Sequence, residues 1–197
     1  MTRTFVLIGQ TAHADGDVRL DDLAGTSGRL DVMARAIRAA LCISHGIRKN
    51  VVVHVVLMGG VRPVTVRIDG AAAKFIRPDE RALATILIKA VARHAPEHDG
   101  FVEQRNGIAV AWGGLAVAIA DARGAYFVLE EGAADLRPAP KEDAVFFIGD
   151  HLGFASDVRA QLAAIGTQAV SVGPVSLHSD DVVALVSNEL DRVTSSP

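Results

Sequence analysis

The sequence predicts an α/β protein, a mostly parallel sheet with helices on both faces. Three observations carry that expectation. Short apolar, β-branched runs such as "TFVLIG", "VVVHVVLMG" and "AVFFIG" recur along the chain. They have few polar interruptions, as strands covered on both faces do. Between most of them lie segments whose apolar residues repeat at helical spacing, the alternation that builds parallel sheets. The chain has 197 residues, half of them hydrophobic but only 5% aromatic, which is ample for a sizeable core.

The elements follow in order. "TFVLIG" (4–9) is the first strand. "TAHADGDVRLDDLAGTSG" (11–28) is a polar loop, long for a compact domain, and that length points to function. Leu30, Met33, Ala34, Ile37 and Leu41 then share one helical face, with Arg29, Arg35 and Arg38 off the stripe. Thr26, Ser27 or Gly28 is placed to cap this helix, and Gly46 to stop it. "VVVHVVLMG" (51–59) is a buried strand, and "VTVRID" (64–69) alternates like a strand with one wet face. Pro78, Asp79 and Glu80 open a helix through about Arg93, with Leu83, Ile86, Leu87, Ala90 and Val91 inward. "HAPEHDG" (94–100) is a loop. The second half gives strands at 107–112, 125–132, 144–149 and 168–173, and helices at 114–122, 155–166 and 176–193. A proline-rich link, "RPAPKED", joins the second and third of those strands.

Composition excludes several classes. Cys42 is the single cysteine, so no intrachain disulfide and no cysteine zinc cage can form. No apolar run approaches a membrane span, and the first residues are too polar for a secretory signal; a reducing cytoplasm is the expected setting. The net charge of −3 argues against a general nucleic-acid binder. It hides an asymmetry, however. Residues 1–98 hold 14 Lys/Arg against 9 Asp/Glu, and residues 99–197 hold 6 against 14. A basic half beside an acidic half fits a polyanionic partner on one side, or simple drift in surface composition.

Three short stretches stand out. "GDHLG" (149–153) ends a strand but lacks the three glycines of a dinucleotide fingerprint and the Gly-Lys-Ser/Thr of a P-loop. Asp150 and His151 are adjacent, not at helical ligand spacing, which argues against a metal site. In "SVGPVSLH" (171–178), Gly173 and Pro174 make a stiff turn that bares backbone groups, as recognition of an adenine edge requires, or that merely joins a strand to a helix. In "GTSGRLD" (25–31), Arg29 is placed to grip a phosphate beside the amides of a helix start; a capped helix with an Arg29–Asp31 surface pair has the same spelling. His54, inside an apolar strand, reads as a core residue. A G-x-S-x-G nucleophile elbow is absent.

Taken together and in order, "DLAGTSGRLDVMARAI", "SHGIRKNVVVHVVLMG", "RPDERALATILIKA", "VFFIGDHLG" and "PVSLHSDDVVALV" resemble the archaeal tRNA pseudouridine N1-methyltransferase family and its bacterial homologues, within the SPOUT superfamily. The resemblance spans nearly the whole chain. It implies one SPOUT domain over 1–197, whose C-terminal part, about 124–197, is tied in a trefoil knot. It also implies a homodimer and S-adenosylmethionine as cofactor. The implied cofactor contacts are Val128 and Leu129, then Gly149, Asp150 and Gly153, then Val172, Gly173, Pro174, Val175, Ser176 and Leu177, and finally Val182. Gly149 and Gly153 would let the backbone approach the ligand. Arg29, Arg35 and Arg48 are candidate RNA phosphate contacts. Arg29 and Asp31 are the candidate catalytic pair, with Asp31 as proton acceptor or as the group that orients Arg29. The activity implied is N1-methylation of pseudouridine in the tRNA T-loop. The alternatives are another SPOUT reaction, such as 2′-O-ribose methylation, or an RNA-binding assembly factor that keeps the fold without turnover.

Overall fold

In the computed structural model, which describes residues 1–94, 98–138 and 142–194, the first strand β1 (Arg3–Gly9) lies in the middle of an eight-stranded sheet and is buried throughout. A short helix α1 (Leu23–Thr26) and the longer α2 (Leu30–Leu41) follow. Then come the hairpin strands β2 (Cys42–Ile43) and β3 (Gly46–Ile47), the central strand β4 (Val51–Leu57), β5 (Val64–Asp69) and helix α3 (Glu80–Arg93). β6 (Val102–Arg105), β7 (Ile108–Trp112), α4 (Leu115–Asp121) and β8 (Ala125–Asp135) lead to β9 (Ala144–Gly149), α5 (Ser156–Ala164), β10 (Gln168–Ser171) and α6 (Ser179–Thr194). The sheet order is β10-β8-β9-β1-β4-β5-β7-β6. The first five strands of that order run parallel, and β5, β7 and β6 are antiparallel additions at one side.

Alternation along β1 divides the core. Phe5 and Leu7 face α2, α3 and α6, where Leu30, Met33, Ile37, Leu83, Leu87, Val183 and Val186 pack. Val6 and Ile8 face α4 and α5, against Leu115, Ala118, Val158 and Leu162. Both faces are thus covered, which is why the parallel strands read as continuous apolar runs.

Several sequence expectations are corrected by tertiary packing. The 11–28 loop contains α1, capped by Asp22, which accepts from the Gly25 N–H. Helix α2 stops at Leu41, ahead of Gly46, because the chain turns directly into the β2–β3 hairpin. The expected wet face of β5 is largely closed. Thr65 is buried, and Arg67 is tied to Asp121 on α4 at 2.9 Å. The last helix begins at Ser179 rather than 176. β6 was not anticipated; its "VEQR" carries no strong strand signal. Parts of "HAPEHDG" and of "RPAPKED" lie outside the described residues.

Candidate cofactor cleft and its arginine border

The carboxyl ends of parallel strands are where open α/β sheets bind ligands. β1 and β9 are in register, with Ile8 opposite Gly149, so their ends reach the same level. There the chain makes a tight loop. Asp150 and Gly153 form an antiparallel bridge, and the Gly153 N–H donates to the Asp150 carbonyl. The Asp150 carboxylate is buried and accepts from the Gln10 N–H at 2.7 Å and the Leu152 N–H at 2.8 Å. The Gln10 side chain donates to the Gly153 carbonyl at 3.0 Å. "GDHLG" is therefore fixed to the end of β1 by the two Gln10 bonds and by the Asp150 N–H, which donates to the Ile8 carbonyl at 3.0 Å.

Its glycines also answer demands of the loop itself. A Cβ on Gly149 would lie 2.5 Å from the Gly153 carbonyl oxygen, so Gly149 is needed for the loop to close on itself. Gly153 has φ +73° with open space around it and answers a conformational demand.

Beside this loop, Ser171 Oγ donates to the Gly173 carbonyl and accepts from its N–H, which tightens the turn after β10. Ser179, the first residue of α6, donates to the Gly149 carbonyl at 2.7 Å and joins the two loops. Between them opens a cleft of about 440 Å³, within the range of small-molecule sites. It is lined by Leu129, Gly149, Asp150, Gly153, Val172, Val175, Ser176, Leu177 and Val182, all expected from sequence. Of the residues expected, Val128, Gly173 and Pro174 do not line it. Val128 points into the α4–α5 face of the core, because side chains alternate along β8. Unanticipated lining comes from Glu130, Glu131, Arg159, Ser171 and Ser179. Gln10 was also missed, although it directly follows a parallel strand, and that position was the available signal.

The arginine border lies at the start of α2. Arg29 has φ +73°, an uncommon backbone for a side chain other than glycine. Its guanidinium grips Asp31 with two bonds, at 2.9 and 3.0 Å. Arg35 donates to the same carboxylate at 2.9 Å and to Glu80 at 3.1 Å, and lies 3.9 Å from Asp180 on α6. Burial pushes the Asp31 carboxyl up, but the bonds and charges of Arg29 and Arg35 outweigh it and hold the group below its usual value. The Arg29 guanidinium is pushed up, chiefly by its bonds to Asp31, and it also senses the charge of Asp150. Of the three candidate caps, Ser27 acts: its Oγ accepts from the Leu30 N–H and donates to the Leu23 carbonyl.

Arg48 is not part of this border. It pairs with Asp191 at the far end of α6, beside Arg3. Twelve residues of helix separate Asp191 from Ser179, a rise of ~18 Å. His54 is a core residue whose Nε2 sits 2.8 Å from Asp121.

Sheet and loops define an α/β protein with a cleft at the carboxyl ends of its parallel strands. The sequence model of the family described as "Putative SAM-dependent RNA methyltransferase" matches residues 2–195. The chain is 37% identical over 194 residues to the tRNA (pseudouridine(54)-N(1))-methyltransferase of Methanosarcina acetivorans, covering 96% of this chain and 91% of that one. It is 38% identical over 192 residues to the enzyme of that name from Halobacterium salinarum, with 96% of each covered. Among solved structures, Archaeoglobus fulgidus Nep1, bound to S-adenosylhomocysteine, superposes with a TM-score of 0.68 at 14% identity over the full length of both chains. This chain belongs to the SAM-dependent RNA methyltransferase family.

Proposed function

We propose that the protein transfers a methyl group from S-adenosylmethionine to N1 of pseudouridine in the T-loop of tRNA, in line with relatives named for pseudouridine 54. The observation that carries the reading is the convergence of three sequence-distant segments on one cleft, bordered by paired arginines. The cleft suits the cofactor's chemistry. Apolar walls from Leu129, Val172, Leu177 and Val182 fit a flat purine, and the carboxylates of Glu131 and Asp150 favour a cationic ligand, Glu130 being paired with Arg159. When bound, the cofactor supplies an electrophilic methyl on a sulfonium, already a good donor, so positioning is the protein's main contribution.

The chain's own residues divide that work. The 149–153 loop and the turn after β10 wall the cleft and exclude water. Asp31, held anionic by two guanidinium groups, is a poor proton acceptor at neutral pH and acts by orienting Arg29. Arg29 is 37% exposed and has donors left to meet a phosphate or a base carbonyl. Arg35 fixes the carboxylate from the other side. Arg48 is reserved for Asp191 and takes no part at this cleft. The target base must leave its stack to reach the site, where N1 exchanges its proton for the methyl and that proton passes to solvent water.

The remaining features belong to the same reading: a single domain, a C-terminal knot over about 124–197, a homodimer and a cytoplasmic setting. Support for the knot is the return of α6 from the sheet edge at β10 to pack on α2 and bond to Gly149. Support for a dimer is the exposure of Leu152, Val175, Leu177 and Leu185 around the cleft mouth and α6. The inner side of α6, with Val183, Val186 and Leu190, is used by the core, so less of that helix faces outward than its sequence suggests.

The deciding experiment offers labelled S-adenosylmethionine and two tRNA transcripts that differ only in pseudouridine or uridine at the target. Label on the base of the first alone is expected. Equal labelling of both sinks the reading, and label on ribose selects 2′-O-methylation. Tight RNA binding with no transfer selects the assembly factor.

A further inference from the structure

We propose that the groove between the β2–β3 hairpin and residues 73–78 is a second RNA-docking surface. There an unstacked base lies on Phe75 and the strand's backbone follows Lys49, Lys74 and Arg77. The inference rests on RNA being the substrate, and it goes beyond the cleft.

The groove encloses about 520 Å³, between Ile43, His45 and Lys49 on one side and Phe75, Ile76 and Pro78 on the other. Phe75 is its unusual member. Among the described residues only Arg29 and Phe75 have a left-handed backbone without being glycine, and Phe75 has φ +59°. For a bulky aromatic side chain that conformation is an outlier. Phe75 is also 80% exposed, so no core contact repays its strain. Strained residues that packing does not explain cluster at ligand contacts. Ile43 across the groove is 48% exposed, which makes the walls apolar and open.

Charge selects the ligand class. Residues 42–50 and 71–78 contain Arg48, Lys49, Lys74 and Arg77 and no Asp or Glu, in a chain whose net charge is −3. Arg48 is taken by Asp191. Lys49, Lys74 and Arg77 form no ion pair among the described residues. A partner that brings both negative charge and flat apolar faces is a single-stranded nucleic acid, whose bases stack on aromatic rings while its phosphates track cations. A duplex hides those faces. The groove also lies within reach of the cleft. Four residues carry the chain from Ile76 to Glu80, at most ~14 Å, and Glu80 holds Arg35 at the cleft border. A few nucleotides beyond the target base would arrive there.

The test uses the full chain and a fluorescent tRNA transcript, titrated at several salt concentrations. Phe75→Ala is expected to weaken binding about tenfold or more and Phe75→Trp to restore it. Lys49→Ala and Lys74→Ala should each reduce the slope of log affinity against log salt by about 0.7. Affinity for S-adenosylhomocysteine should stay unchanged in all four. If the variants bind and are labelled like the unaltered protein, the groove falls and the methyltransferase reading stands. If the unaltered protein neither binds nor methylates the transcript, both fall. If Phe75→Ala instead splits a dimer in sedimentation velocity with RNA affinity intact, the groove holds a second copy and the RNA proposal is overturned.

Discussion

Replacing Asp31 by Asn tests the arginine border most directly. The Asp31 side chain is 6% exposed and receives three bonds from two guanidinium groups. Asparagine keeps the volume but turns an amide NH2 toward cationic donors. Arg35 keeps Glu80; Arg29 keeps no side-chain partner among the described residues. A hydrogen bond to a charged group contributes about 1.5–3 kcal/mol. Both guanidinium groups are about one-third exposed (37% and 35%), and water recovers part of the loss. The expected net destabilisation is about 2 kcal/mol, or a melting point lower by about 4–8 °C for a domain of this size. The pH dependence has a definite sign. A carboxyl whose folded value is depressed contributes stability that is fully present above its unfolded value, about 3.9. That contribution is lost as pH falls through the lower folded value. The gap between the two proteins should therefore be constant from pH 5 to 8 and close below about pH 4. Urea denaturation across that range measures it, with methyl transfer at pH 7 alongside. An Asp31→Asn protein with unchanged midpoint, unchanged acid sensitivity and full transfer would refute the assigned geometry.

Arg29→Gly removes the same pair but relieves the left-handed backbone, which costs roughly 1–2 kcal/mol for a side chain; stability should change by no more than about 1 kcal/mol while methyl transfer falls at least tenfold, as read by urea melts and label incorporation. Gly149→Ala should cost about 1–3 kcal/mol through its collision with the Gly153 carbonyl and should abolish binding of S-adenosylhomocysteine in calorimetry. Ser27→Ala leaves the Leu30 N–H without its acceptor and should lower stability by about 1 kcal/mol with little effect on calorimetric ligand affinity. Asp150→Ala strands the Gln10 and Leu152 amides, so ligand affinity should fall more than tenfold while hydrogen exchange at those two amides accelerates.

Periodicity was enough for most of the strands and helices, because β-branched runs and i, i+3, i+4 stripes are local properties of the chain. The ordered motifs were enough to point to the family and to most of the cleft lining, since close approaches of backbone leave glycines behind. Spatial grouping was not readable in the same way. Arg29, Arg35 and Arg48 look equivalent in sequence, yet α2 carries the first two to the cleft while Asp191 holds the third at the opposite end of the sheet. Gly149 reads as an approach to ligand, and only the folded loop reveals that its close neighbour is Gly153. Gln10 carries no motif, and its role arises from strand ends brought together across more than a hundred residues, while Ser171 and Ser179 lie in the family stretches but their bonds to Gly173 and Gly149 exist only in the folded chain. Sequence by itself determined most of the elements and the family they spell. The tertiary structure alone decided which charges meet and which faces remain open, because hydrogen bonds and ion pairs depend on distances that the chain acquires only on folding.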